Sequence, residues 1–385
     1  MHILHVYKDY FPVLGGIENH IKWQAEGMQA RGHRVHVLVT NTARRTLRQR
    51  IQGVPVTKTG RQFNVSSAPV SLGLFQELAR LGQDADIVHL HAPYPPGELA
   101  QLLVRAGRHT VITYHSDIVK QATLLRFYAP FLHRILDRAH AILVSNPRYP
   151  QGSPFLRPRQ DKIRVVHFGI DPTRFQPTEA SLRRAQELRR RFGPAPLALF
   201  VGRLRYYKGV DVLIQALALT PEVQGVIVGT GPMEGAARAL VHQLGLAERV
   251  YFAGHVADAD LPAFYQAGDL FVLPSIHRSE SLGIVLLEAM ASGLPVISTE
   301  LGTGTSYVNQ NNVTGLVVPP RDPAALAQAL RRLARHPEQR AALGQAARQR
   351  IQEAFSLEQM LDQTERVYRE ILGESPARGS GQNML

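Results

Sequence analysis

Apolar residues along this chain come in short, evenly spaced runs. In the first half they are HILHVY (2–7), RVHVLVT (34–40), DIVHLH (86–91), TVITYH (110–115) and AILVSN (141–146). Each is too short for a helix and rich in β-branched residues, which reads as a buried strand. Between them, stretches such as 17–31 and 122–138 carry apolar residues at helical spacing. A second series begins near 196 with PLALFVGRL. It continues with GVIVGTG (225–231), VYFAG (250–254), DLFVLP (269–274), PVIST (295–299) and GLVVPP (315–320). Strand and helix patterns alternate through both series, the rhythm of a parallel sheet with helices on both faces. The fold class is therefore predicted to be α/β, with two doubly wound parallel-sheet domains, 1–168 and 172–356. The join falls in VVHFGIDPTRFQP (165–177), rich in Gly and Pro and without periodicity. Residues 322–372 read as mostly helical, with 357–372 expected to rejoin the first domain and 373–385 to form a flexible tail.

Composition narrows the class. Of 385 residues 44% are hydrophobic, enough for two cores. No uncharged apolar run reaches the length of a transmembrane helix. The N-terminus, MHILHVYKDYFP, is charged where a secretory signal needs its apolar core, so a cytoplasmic protein is expected. The absence of cysteine excludes disulfides, thiolate metal sites and cysteine nucleophiles. Net charge is +13, and it is uneven: residues 1–170 hold 22 Lys and Arg against 10 Asp and Glu, the remainder 22 against 21. A basic first half suits phosphates or an anionic membrane surface, although an Arg-rich codon bias leaves the same mark. Nucleic acid is not expected as a partner, because the cluster ARRTLRQR (43–50) has no interleaved aromatics. The stretch LLRFYAPFLHRILDRAH (124–140) reads either as a core helix or as one lying on a membrane.

Ligands of open α/β sheets bind beyond the carboxyl ends of the strands, so the candidates are residues just after strands. In VLGGIE (13–18), Gly15 and Gly16 permit close backbone approach, and the helix that follows offers free amides to an anion; a plain flexible loop is the alternative. In VGRLRYYKGVDVLIQAL (201–217), Arg203 and Lys208 precede a helix and suit a pyrophosphate, or are solvated surface charges. VIVGTGPMEG (226–235) imitates a dinucleotide fingerprint, but Glu234 stands where the third glycine belongs, which argues against nicotinamide or flavin. His115 ends a strand in TYHSD (113–117), facing the ligand edge. His89 and His91 share one strand face, one expected to face a ligand and the other to pack, with no third ligand at a convincing spacing for a metal. RSESLGIVLLEAMASGLPVIS (278–298) sets Glu280 in a loop and Glu288 on a helix that stops at Gly293. Glu288 shares its face with Ser281, Ile284, Val285, Ala291 and Ser292. It either snorkels from the helix edge or is aimed at ligand hydroxyls.

Taken together, GGIE (15–18), YHSD (114–117), GRLRYYKG (202–209) and ESLGIVLLEAMASGLPVIST (280–299) resemble the retaining GT-B glycosyltransferases of family 4. The resemblance implies GT-B architecture: two facing Rossmann-like domains with a cleft between them. It further implies a nucleotide-sugar donor, with Glu288 on the ribose hydroxyls and Arg203 and Lys208 on the diphosphate. Gly15, Gly16 and the backbone of Leu282, Gly283 and Ile284 would approach phosphates or sugar. Glu280 would hold the transferred sugar, and His115 would sit at its reacting face. The loop AGHVADADL (253–261) would lie near the base, with Val256 beside it; Asp258 would accept from guanine, or merely cap the helix from about 259.

Cations and helix N-termini can stabilise a departing diphosphate. No cofactor or metal is expected, since no DxD-type pair follows a strand and DADI (84–87) precedes one. The reading is transfer of a hexose, from GDP-mannose or a related GDP-sugar, to a glycan or lipid-linked saccharide acceptor of bacterial surface polysaccharide. The site would be cytoplasmic, peripheral at the inner face of the plasma membrane. A UDP-sugar donor, and an epimerase or hydrolase on the same fold, are the alternatives.

Overall fold

The computed structural model describes residues 1–13, 15–65, 68–117 and 122–374. Leu14 of VLGGIE and residues 375–385 of the expected tail lie outside the described residues. The chain divides into two compact units, one of Met1–His167 with the chain from Glu358 onward, the other of Phe168–Leu357.

The first unit holds β1 (His2–Val6), β2 (Arg34–Thr40), β3 (Leu47–Ile51), β4 (Val54–Thr59), β5 (Phe63–Val65), β6 (Ala68–Val70), β7 (Ile87–Ala92), β8 (His109–Tyr114), β9 (Ala141–Val144) and β10 (Ile163–Val165). The large sheet runs β10-β9-β8-β7-β1-β2-β4-β3, while β5 and β6 pair separately. Every pairing in the large sheet is parallel except β3 with β4. All six residues of β7 are buried, as a strand covered on both faces requires. The order reverses between β1 and β7, and that switch point is where such sheets take ligands.

One feature was absent from the sequence reading. β3 and β4 form a hairpin across Gln52 and Gly53, both at positive φ (49° and 83°), the backbone of a tight primed turn. The basic cluster 43–50 is therefore partly an edge strand, where charge is the usual guard against edge-to-edge pairing. Arg48 of β3 pairs with Glu77.

The C-terminal helix Leu357–Leu372 is held to this unit by polar contacts. Arg31 reaches Glu358 (3.1 Å), Asp362 (2.7 Å) and Glu365 (3.1 Å), and Gln24 donates to Thr364 (3.0 Å). Acidic residues of the chain's end thus neutralise part of the basic first half.

The second unit holds β11 (Leu197–Val201), β12 (Gln224–Val228), β13 (Val250–Gly254), β14 (Leu270–Leu273), β15 (Val296–Thr299) and β16 (Gly315–Val318), ordered β13-β12-β11-β14-β15-β16 and wholly parallel. This is the Rossmann-like order, with its switch point between β11 and β14. The GTG of 229–231 has a packing explanation. A side chain on Gly229 or Gly231 would collide with the backbone of Gly202 or Leu204, and Leu204 N–H bonds the Thr230 carbonyl at 2.9 Å. Those glycines let two strand-end loops touch.

Candidate functional site

The loops leaving β11 and β14 bring opposite charges together at the second unit's switch point. Lys208 closes a short 3-10 turn, Tyr206–Lys208, and Gly209 follows at φ 67°. A side chain on Gly209 would run into the Pro274 carbonyl, so glycine lets this loop lie against the one after β14. The Ile276 N–H then bonds the Tyr207 carbonyl (2.8 Å). Across this contact the Lys208 ammonium lies 2.5 Å from the Glu280 carboxylate, their side chains 10% and 8% exposed. Ser275 donates to the same Glu280 oxygen (3.0 Å), and Thr303 holds the Glu280 carbonyl (2.8 Å). Burial alone would lower the lysine's pKa, but Glu280, with Tyr207 and Glu288, holds it above its ordinary value. Lys208 is thus a charged, buried, pre-positioned cation and not a loose loop residue. Arg203 is exposed and has no ion pair among the described residues.

Glu288 projects from the helix Ile284–Ala291, entered through Gly283 at φ 81°. It is half-buried, and Tyr265 donates to its Oε2 at 2.7 Å; Oε1 has no hydrogen-bond partner among the described residues. Burial pushes its pKa up to about 7, against the Tyr265 hydrogen bond and the Arg174 charge; Asp258 adds to the rise and Lys208 opposes it. A tyrosine thus anchors one oxygen of Glu288, which does not snorkel freely from the helix edge, and leaves the other open. Leu282 is buried with its side chain in the core, so only its backbone is available to a ligand, while Ile284 is half-buried. Asp258 is exposed and makes no side-chain hydrogen bond or ion pair among the described residues. The helix it was expected to cap is Leu261–Ala267, whose N-cap is Asp260. Val256 lines a cavity of about 280 Å³ between its loop and the helix Glu179–Phe192.

The first unit's switch point is built from imidazoles. His5 on β1 is in register with His89 on β7, His91 lies two residues further along the same face, and His115 follows β8. The pleat stacks these side chains, and the helix Gly16–Ala30 adds His20. All five are at most 3% exposed. His5 Nδ1 meets His91 Nε2 at 3.1 Å, and His91 Nδ1 meets His115 Nε2 at 3.1 Å. His89 bonds Tyr368 (2.6 Å) and Thr113 (2.7 Å). Burial drives the pKa of His5 and of His20 down to about 3, and those of His89, His91 and His115 well below the ordinary value. The sequence reading had one of His89 and His91 facing a ligand; both are packed, since residues two apart on a covered strand share one fate. Nitrogens of His5, His89 and His91 lie within 4.8 Å of one another, near enough to bracket an ion, although hydrogen bonds already engage all three rings. Gly15 caps the helix Gly16–Ala30 in extended conformation, and a side chain there would meet the Glu18 carboxylate.

The family profile described as Glycosyl transferases group 1 matches residues 185–350, and the Glycosyl transferase 4-like domain matches 15–169. The D-rhamnosyltransferase WbpZ of Pseudomonas aeruginosa is 38% identical over 357 residues, 92% of either chain. This chain is a GT-B glycosyltransferase. The O-antigen chain mannosyltransferase C of Escherichia coli is 36% identical over 373 residues, spanning 97% of this chain and 99% of that protein. Sucrose-phosphate synthase from Thermosynechococcus elongatus shares the fold, with a TM-score of 0.80 at 24% identity over 97% of this chain and 100% of that one.

Within the glycosyltransferase's second unit, the structure gathers Lys208, Glu280 and Glu288, with Asp258 close enough to bias Glu288. Sequence reasoning missed Tyr265 and Ser275, because neither sits in a motif and their roles exist only through contacts across the fold. It also missed His5, which HILH places on a strand that the observed sheet order sets beside HLH.

Proposed function

We propose that this glycosyltransferase moves a manno-configured hexose from a nucleoside-diphosphate donor, GDP-mannose or a related GDP-sugar, to a glycan or lipid-linked saccharide acceptor. Anomeric configuration is retained, and the step needs no metal. The observation that carries the reading is the buried Lys208–Glu280 pair beside the half-buried Glu288 at one switch point. A rigid cation is suited to a diphosphate, and a carboxylate with one open oxygen is suited to a diol. Arg203, without an ion pair among the described residues, adds a charge for the phosphates. Glu280, already bound to lysine and serine, presents its remaining oxygen to the sugar. His115 of the first unit acts on the transferred sugar. The sugar class rests on the names of the two relatives, a rhamnosyl- and a mannosyltransferase. The carboxylate of Asp258, without a partner among the described residues, supports guanine, whose N1 and N2 are donors.

The acceptor reaches the enzyme at the cytoplasmic face of an anionic membrane. The helix Ala122–Arg138 buries Tyr128, Leu132, Ile135 and Leu136 but exposes Phe127 (71%) and Phe131 (42%) among Arg126, Arg134 and Arg138. That outer face is apolar and basic at once, the pattern of an interfacial helix. No described helix is long and apolar enough to cross a membrane.

The test is calorimetric titration with GDP and UDP, followed by transfer from the matching sugar nucleotides in EDTA and NMR of the product's anomeric proton. Tighter GDP binding and a retained anomer are expected. A UDP preference removes the GDP assignment alone, loss of turnover in EDTA removes metal independence, and release of free sugar without transfer removes the transferase reading.

A further inference from the structure

Glu288 is held at both ends of its side chain. The helix Ile284–Ala291 fixes its backbone, and Tyr265, on the helix Leu261–Ala267, donates from its hydroxyl to Oε2 at 2.7 Å. Tyr265 is buried, and its ring is set edge-on to Phe175 at 5.8 Å and tilted against Phe271 at 5.9 Å. In a close-packed core that ring has no room to swing its hydroxyl elsewhere. Burial and the neighbouring Glu288 carboxyl push the phenol's pKa well above its ordinary value, so it stays protonated. Facing an ionised carboxylate, which has no proton to give, such a hydroxyl can only donate. Oε1 is then the atom of Glu288 left for a ligand.

We infer that Tyr265 is a positioning residue for the nucleotide: it pins Oε2 of Glu288 so that Oε1 stands as a fixed acceptor for a ribose hydroxyl. This rests on the reading that Glu288 takes the ribose diol. A glutamate free to rotate would lose rotamer freedom when the diol binds, and the tyrosine removes that loss beforehand. The same hydrogen bond favours the ionised, accepting form of the carboxyl against the burial that pushes it up to about 7. Three charged groups also act on Glu288: Arg174 on the turn Pro172–Phe175, Asp258 ahead of the Tyr265 helix, and Lys208. Arg348, on the helix Pro337–Ala354 packed against Ile284–Ala291, bonds the Ser292 carbonyl, and Tyr307 of Thr305–Val308 lies under Arg350. β14 and β15 bring no titratable side chain. Tyr265→Phe leaves all of these in place, because it removes one oxygen atom and keeps the ring.

The experiment is calorimetric titration of the full chain with GDP, and with UDP in parallel because both carry the ribose. Wild type, Tyr265→Phe, Glu288→Ala and the double variant are compared from about pH 6 to about pH 9, a range that spans the Glu288 titration. Circular dichroism checks that each is folded, and ¹³C spectra of labelled glutamate follow the Glu288 carboxyl. In Tyr265→Phe that titration should move to higher pH, because the ionised form has lost a donor. At about pH 9, with Glu288 ionised in both proteins, the loss that remains reads positioning alone and should be about five-fold in nucleotide affinity. Added to Glu288→Ala, the same change should weaken binding no further. Wild-type affinity in Tyr265→Phe at the high end of the range overturns the positioning role. An equal loss with and without Glu288→Ala also overturns it, because the tyrosine would then act through the fold at large. An unmoved Glu288 titration overturns the contact. If the titration moves while Glu288→Ala binds both nucleotides like wild type, the ribose reading of Glu288 fails, and the role of Tyr265 toward the nucleotide falls with it.

Discussion

The two units repeat one strand order about their switch points and furnish it with opposite chemistry. Between β1 and β7 lie neutral, buried imidazoles joined to one another. Between β11 and β14 lie a buried ammonium and carboxylate, a half-buried second carboxylate and an exposed arginine. The shared topology explains where a ligand is received, and the residues explain which part of a ligand each unit suits. Under the proposed function, the charged site would take the diphosphate and the neutral imidazoles would lie toward the sugar. Several changes would break or sharpen this contrast.

Lys208→Ala should have the largest effect. It leaves Glu280 buried without its cation, a loss of about 3–5 kcal/mol in unfolding free energy, and it should abolish most sugar transfer. Replacing both partners, Lys208→Met with Glu280→Gln, should recover much of the stability and none of the transfer. Denaturant unfolding beside a transfer assay separates the two roles. An unchanged midpoint in Lys208→Ala means that the pair carries no structural weight.

Arg203→Ala should instead leave unfolding within about 0.5 kcal/mol of wild type, as an exposed position does. The loss of a charge-assisted bond, about 1.5–3 kcal/mol, should weaken nucleoside diphosphate binding by about ten- to hundred-fold. Calorimetry decides this, and full affinity would move the phosphates elsewhere.

Glu288 should show a pH signature that the first unit's neutral cluster lacks near neutrality. Its folded pKa, about 7, lies above the ordinary 4.5, so the folded chain keeps a proton that the unfolded chain has lost. The stability contribution is full below pH 4.5 and is lost as pH rises to about 7. Glu288→Gln should therefore gain stability relative to wild type across that window. A diol donates to the ionised carboxylate, so donor affinity should rise through pH 7 in wild type and stay flat in Glu288→Gln. A 2′- or 3′-deoxy donor should couple to Glu288→Ala by about 0.5–3 kcal/mol. Strict additivity with both removes Glu288 from the ribose.

The smallest change is expected from Phe127→Glu with Phe131→Glu. Sedimentation with anionic vesicles should weaken while transfer to a soluble acceptor holds. Equal sedimentation with and without the substitutions would assign the exposed phenylalanines no part in docking.

Much of the sheet architecture was legible because buried parallel strands are continuous apolar runs. The β3–β4 hairpin was not, since LRQRI carries edge-strand charge in place of an apolar signal. Charge counted along the chain also misled. The basic excess of residues 1–170 overlooks the acids of Leu357–Leu372 that fold back onto Arg31 and Arg164. Asp258 was weighed as a helix cap because the helix start could be placed only to within a residue or two.

By itself the sequence determined the α/β class, the two series of strands, the strand-end loops that hold Arg203, Lys208 and Glu280, and the helix that carries Glu288. Local periodicity and turn residues are enough for that, because they act over a few neighbouring positions. Only the tertiary structure decided that Lys208 is locked to Glu280, that Tyr265 anchors Glu288, and that His5, His91 and His115 form one hydrogen-bonded line. Each of those is a contact between residues far apart in the chain. Its energy depends on burial and on the distance between two atoms, and no spacing along the sequence encodes either.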